Sequence, residues 1–295
     1  MYAKILVPLD GSPLAETVLP YARSLARALK MPVELLQVIE ADVMRAFAEY
    51  GRSVEIIEAV KKASLEYLEA VAGSFPDRSA VGCSAEIGST AEVIIDRAIS
   101  IPRILIAMAT HGRSGISRWL LGSVAEKVLR GAKSHLLLVR PRDGETTSVA
   151  ALKVVLVPLD GSRLAEKALP HAVALAKEMS LEVVLLRAYD VMEAAYIREG
   201  YRFDLDLRRE KIKKDAEDYL EENVRELQKE GLPRVSCLLL EGDAAAEIIS
   251  QARKVPDNLV MMCTHGRSGL GRWMLGSVTD RVVRHSGDPV LVIPA

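Results

Sequence analysis

The chain has 295 residues and 32.2 kDa, more than one ordinary domain, with 39 Lys and Arg against 40 Asp and Glu for a net charge of −1. Near-neutral charge and 4% aromatic residues exclude a polybasic nucleic-acid surface or a base-stacking platform, and 49% hydrophobic residues exclude disorder. Three cysteines, Cys83, Cys237 and Cys263, with no close pair, argue against a disulfide framework or a zinc site and for a reducing, cytoplasmic setting.

The opening MYAKILVPLDGS meets Asp10 and Gly11 too soon for a secretory signal, and no run reaches the ~20 apolar residues that span a bilayer. Neither export nor a membrane partner is expected. A first strand is predicted over residues 5–9. Ser12 then stands where an N-cap belongs, with Pro13 at the first helical position. Leu14, Val18, Ala22, Leu25 and Leu29 follow on one helical face, and Pro20 inside that pattern predicts a kink. Further strands are predicted over 33–39, 80–87, 103–109 and 136–139, with a long helix over 54–72 before the third. Unbroken apolar runs such as ILVPL and RILIAMA mark strands buried on both faces, as in a parallel sheet. The turn-rich stretch Pro141-Arg-Asp-Gly-Glu-Thr-Thr-Ser148 reads as a linker.

Beyond it the chain repeats itself. LVPLDGSPLAETVLP, ending at Pro20, returns as LVPLDGSRLAEKALP, ending at Pro170, an offset of 150 residues. MATHGRSGISRWLLGSVAEKVLR, from Met108, returns as MCTHGRSGLGRWMLGSVTDRVVR, from Met262, an offset of 154. A unit this long is a duplicated domain and not a solenoid repeat. The expected organisation is a domain over 1–142, a linker over 143–152 and a second domain over 153–295. In the second copy the helix predicted over 209–230 carries an apolar stripe of Ile212, Ala216, Tyr219, Leu220, Val224 and Leu227, its charges forming a solvated face. Alternation of strands and helices gives an α/β fold: two tandem, open, Rossmann-like sheets of five parallel strands.

Ligands of such sheets lie beyond the carboxyl ends of the strands. Two polar segments emerge there in each copy: Pro8-Leu9-Asp10-Gly11-Ser12 and the loop from Ala109-Thr110-His111-Gly112 to Gly122-Ser123. Gly112 and Gly115 let backbone N–H groups approach an anion, and Gly122-Ser123 opens a helix whose N-terminus supplies free donors and a positive dipole end. Arg113, Arg118, Arg267 and Arg272 are candidates for neutralising phosphate. No Walker-type G-x-x-x-x-G-K-[ST] and no G-x-G-x-x-G is present, which removes P-loop and dinucleotide-dehydrogenase mechanics.

V-P-L-D-G-S at 7–12 and 157–162, with T-H-G-R-S-G…LGSV at 110–124 and 264–278, resembles a tandem universal stress protein over nearly all of both copies. That resemblance implies a strand order 3-2-1-4-5, an adenine-nucleotide-hydrolase-like topology, and pairing through the fifth strand: an intramolecular pseudo-dimer, with a further homodimer open. One branch of the family binds ATP or AMP, with Mg²⁺ carried on the nucleotide, through G-x2-G-x9-G-[ST]. Carried over by position, Pro8 and Asp10 would meet the nucleotide, Val38 the adenine, Met108, Ala109 and Gly112 the ribose and phosphates, and Gly122, Ser123 and Val124 the phosphates. In the second copy the same places are Pro158, Asp160, Ala188, Met262, Cys263, Gly266, Gly276, Ser277 and Val278. Each copy departs from the motif at its first glycine, which is Ala109 in one and Cys263 in the other.

Blander readings stand beside these. His111 and His265 are expected to order the loop or donate to phosphate, not to act as general bases. Asp10 and Asp160 also suit a turn before Gly-Ser. Cys83 and Cys237 read as buried small residues of the third strand, and Trp119 and Trp273 as packing anchors. The resemblance implies a nucleotide-binding stress-response module. Its alternatives are a nucleotide-independent dimerisation scaffold and a weak ATPase.

Overall fold

The computed structural model describes residues 2–42, 53–111, 121–140, 150–190, 205–264 and 275–294. It divides into two compact units, Met1–Ala151 and Leu152–Ala295. Among the described residues the first unit runs β1 (Lys4–Pro8), α1 (Pro13–Glu16), α2 (Leu19–Leu29), β2 (Val33–Glu40), α3 (Ser53–Ala72), β3 (Val81–Gly88), α4 (Thr90–Ser100), β4 (Ile104–Ala109), α5 (Ser123–Gly131) and β5 (His135–Val139). The second runs β6 (Val154–Pro158), α6 (Arg163–Glu166), α7 (Leu169–Met179), β7 (Glu182–Tyr189), α8 (Leu205–Lys229), β8 (Val235–Glu241), α9 (Ala244–Lys254), β9 (Asn258–Cys263), α10 (Ser277–His285) and β10 (Val290–Ile293).

The strands of the first unit lie in the order β3-β2-β1-β4-β5, and every neighbouring pair is parallel. Those of the second lie in the matching order β8-β7-β6-β9-β10, again all parallel. The expected α/β class and the order 3-2-1-4-5 are therefore present in each unit. Parallel strands need crossovers that cover both faces, which is why Ile5, Leu6, Leu35, Leu36, Ile106 and Leu137 are all less than 2% exposed. All six residues of β4 are buried.

The predicted strands are found within a residue or so of their expected limits. The first ends at Pro8 and not at Leu9, yet Leu9 N–H still donates to the Leu36 carbonyl at 2.8 Å, one rung beyond the assigned strand. Two expectations are corrected. Pro20 does not kink one helix; it stands in the first turn of a second helix, α2, after a break at Thr17–Val18. Proline has no N–H for the preceding turn and fits a helix start, so the chain closes α1 with three-residue turns from Thr17 N–H to Leu14 O at 3.4 Å and Val18 N–H to Ala15 O at 3.5 Å. Pro170 does the same at the start of α7. Cys83 and Cys237 are not buried either: Cys83 is half-buried and Cys237 exposed, because β3 and β8 stand last in the strand order of their units.

The turn after β1 shows why its residues recur. Gly11 and Gly161 take φ of 80° and 84°, a left-handed conformation that only glycine adopts without strain. Asp10 Oδ1 accepts from Ser12 N–H at 2.9 Å and from Ser12 Oγ–H at 2.6 Å, and Ser12 Oγ in turn accepts from Ala15 N–H at 3.2 Å. Ser12 is thus the N-cap of α1, as its position before Pro13 suggests. Loss of an N-cap hydroxyl costs about 1 kcal/mol, so Ser12→Ala is expected to lower the urea midpoint of unfolding by that equivalent. An unchanged midpoint would show that the cap does not support the turn.

Candidate functional site

β1 and β4 are neighbours, but the chain leaves β1 toward β2 on its other side, so the strand order reverses between them. A crevice opens beyond their carboxyl ends. In the first unit this crevice is a cavity of about 820 Å³, within the range of about 300–1,000 Å³ usual for small-molecule sites. Of the residues expected at the site, Pro8, Asp10, Val38, Met108, Ala109, Gly122, Ser123 and Val124 all line it. Gly112 lies outside the described residues, as do Gly115, Gly266, His265, Arg113, Arg118, Arg267, Arg272, Trp119 and Trp273.

The far wall is set by one close approach. Gly122 N–H donates to the Thr110 carbonyl at 2.8 Å, and Thr110 N–H donates to the Val139 carbonyl at 2.8 Å. A Cβ on Gly122 would come within 2.9 Å of the Thr110 oxygen, closer than real side chains tolerate. Gly122 is therefore required for packing, although its φ of −59° is open to any residue. Its N–H is committed to the Thr110 carbonyl. The next three N–H groups, of Ser123, Val124 and Ala125, precede the first intrahelical bond, from Glu126 N–H to Gly122 O. They form the positive end of α5, and their three residues line the cavity.

Several lining residues carry no motif. Tyr67 of α3 donates its hydroxyl to Glu16 Oε1 of α1 at 2.9 Å. Glu40, at the end of β2, accepts from the Thr90 hydroxyl at the start of α4, and both line the cavity. Gln37 stands beside Val38, with its Oε1 buried and without a hydrogen-bond partner among the described residues. The recurrence of a Tyr-Leu pair in both long helices and of L-A-E in both short ones was a signal for the Tyr–Glu contact. No local pattern marks Gln37 or Glu40. His111 also lines the cavity, its Nδ1 2.9 Å from Thr110 Oγ1.

The second unit repeats the frame. Gly276 N–H donates to the Thr264 carbonyl at 2.7 Å, and Thr264 N–H to the Ile293 carbonyl at 2.9 Å. Pro158 ends β6, Asp160 accepts from Ser162 N–H at 2.9 Å, and Ala188 sits near the end of β7. Met262 and Cys263 end β9, and Gly276, Ser277 and Val278 open α10. Cys263 is 4% exposed and its thiol donates to the Ala165 carbonyl at 3.7 Å. Burial pushes that thiol up to about 11. Tyr219 of α8 donates to Glu166 Oε1 at 2.8 Å, as Tyr67 does to Glu16. The Tyr219 phenol is raised by burial first and then by Glu166.

Among known proteins, the model described as the universal stress protein family matches residues 1–140 and again 151–294. A universal stress protein of Methanocaldococcus jannaschii, MJ0531, is 31% identical over 166 residues, covering 56% of this chain and 94% of its own. The Mycobacterium tuberculosis universal stress protein Rv2005c is 24% identical over 308 residues, covering 98% of this chain and 96% of its own. The crystal structure of a universal stress protein from Archaeoglobus fulgidus superposes with a TM-score of 0.67 at 22% identity, over 99% of this chain and 98% of that one. Among the described residues, no helix is long and apolar enough to cross a membrane.

The three thiols should differ in reactivity. Burial raises all three, and at Cys237 the Glu221 and Glu217 carboxylates add to it. Under native conditions at pH 7.5, iodoacetamide is expected to modify exposed Cys237 first and Cys263 last, followed by peptide mass spectrometry. Early labelling of Cys263 would contradict its packing against α6.

Proposed function

The chain belongs to the universal stress protein family, and from that premise we propose that its first unit binds an adenine nucleotide, ATP or AMP, and serves as a nucleotide-responsive stress module. The observation that carries this reading is the 820 Å³ cavity, which joins an aliphatic wall to a helix N-terminus in one space. Val38, Ile39 and Leu36 offer the base an apolar face. The phosphates would lie against the N–H groups of Ser123, Val124 and Ala125, with the Ser123 hydroxyl as a further donor.

Magnitudes require that these contacts act together. A helix dipole stabilises an anion by about 0.3–1 kcal/mol at the surface and up to about 2 kcal/mol when partly buried. Micromolar affinity corresponds to about 8 kcal/mol. The remainder must come from directed N–H bonds and from burial of the base, each of which depends on the wall held by Gly122. Asp10 and Glu40 both line the cavity, and their carboxylates are hard donors of the kind Mg²⁺ takes. A magnesium ion would offset the repulsion between those carboxylates and the phosphates. The role is binding: the residues around the phosphate end hold and orient, and His111 orders the turn at Thr110.

Isothermal titration calorimetry with Mg-ATP is expected to show saturable binding by the intact chain, and native mass spectrometry to show a retained adenine nucleotide. Gly122→Val is expected to abolish binding, because its side chain meets the Thr110 carbonyl and displaces the start of α5, while far-UV circular dichroism stays near native. No binding by the parent protein would leave the scaffold reading. Unchanged affinity in the variant would mean that the ligand sits elsewhere.

A further inference from the structure

The repeat places Gln37 opposite Arg187, Ala109 opposite Cys263 and Ala125 opposite Thr279. In the first unit the three side chains are small or neutral and line the open cavity. In the second each is larger or charged, and each is engaged by the protein itself. The Cys263 thiol reaches the carbonyl of Ala165, whose counterpart Ala15 lines the first cavity, so sulfur takes up space that is open beside Ala109. Thr279 Oγ–H donates to the Cys263 carbonyl at 2.8 Å.

Arg187 makes the largest difference. Its guanidinium carbon lies 4.8 Å from the centroid of the Tyr219 ring, a cation–π contact. The counterparts of this pair, Gln37 and Tyr67, both line the first cavity. The same Tyr219 ring is fixed from its other end, since its hydroxyl donates to Glu166 Oε1 at 2.8 Å. Arginine donates hydrogen bonds and accepts none. Gln37, by contrast, holds a buried oxygen that no donor meets among the described residues, and the exocyclic amino group of adenine is such a donor. At the rim, Tyr189 donates to Glu241 at 3.0 Å and Arg209 of α8 pairs with the same carboxylate. Ile39, the counterpart of Tyr189, lines the first cavity.

We propose that residues 37 and 187 make the chain a one-nucleotide module: Gln37 receives the adenine edge in the first unit, and Arg187, stacked on Tyr219, keeps the base out of the second. This rests on the reading of the first cavity as a nucleotide site. Binding there gives a donor to a polar oxygen that has none among the described residues; binding in the second unit must displace a guanidinium already held over a ring.

Calorimetry of the full chain with Mg-ATP tests it. The expected stoichiometry is one per chain for the parent and for Gly276→Val, and two for Arg187→Gln, with native circular dichroism as the control. Gln37→Arg, made in the parent, is expected to leave no saturable binding and decides the matter if Arg187→Gln does not fold. Two nucleotides on the parent would overturn the inference while leaving the nucleotide reading intact. So would a folded Arg187→Gln that still binds one, or a Gln37→Arg that binds as the parent does. No heat with the parent or with any variant would instead overturn the nucleotide reading, and this inference with it.

Discussion

The bond from Gly122 N–H to the Thr110 carbonyl ties the start of α5 to the end of β4, and Thr110 is in turn tied to β5 through the Val139 carbonyl. Together these contacts set where the N-terminus of a helix stands relative to the end of a buried strand. The approach is possible only because position 122 lacks a Cβ, since any side chain would run into the carbonyl that receives the bond. The second unit makes the same two bonds at Gly276, Thr264 and Ile293. That placement brings the dipole end of α5 and Ser123 to the wall of the cavity.

The frame tolerates different interiors. In the first unit Glu34 of β2 is only 6% exposed and is paired with Lys4 and Arg97 at 3.1 Å each, with the Ser84 hydroxyl donating at 3.3 Å. In the second unit the counterparts of Glu34, Lys4 and Arg97 are Val184, Val154 and Gln251. A buried ion pair and a well-packed apolar substitute can be similar in net stability, because desolvation offsets most of the attraction. The same freedom operates at the carboxyl ends of the strands, where it alters the site instead of the support. Gln37 and Arg187 occupy one position of one strand in the two copies, and only the surrounding chain decides what each can do there.

Much of this was legible in the residues. Parallel strands buried on both faces write themselves as unbroken apolar runs, so β1 and β4 were visible at once. The cap at Ser12 and the left-handed turn at Gly11 are local, and their residues announce them. Other features depended on neighbours distant in the chain. Cys83 reads as a core residue because it is a small apolar side chain in a strand, but β3 stands last in the order of its unit, and among the described residues no strand lies beyond it. Pro20 looked like a kink because the apolar face continues through it; only hydrogen bonding shows that one helix ends and another begins. Gly122 stands out in the motif as one glycine among several, and only the fold shows that its N–H is bonded to Thr110.

Length and charge left two near-neutral domains, and repetition made them two copies of one α/β unit with glycine-bearing loops in equivalent places. The sequence by itself determined that much because strand burial, turns and helix caps depend on residues within a few positions of one another. Tertiary structure decided which residues share a cavity: Gln37, Tyr67 and Glu40 come from β2 and α3, join the helix start at Ser123, and leave no common motif. It also decided that the copies are not alike, since Arg187 matters only through the ring of Tyr219 that the fold brings beneath it. Packing between elements carries that information, and spacing along the chain does not.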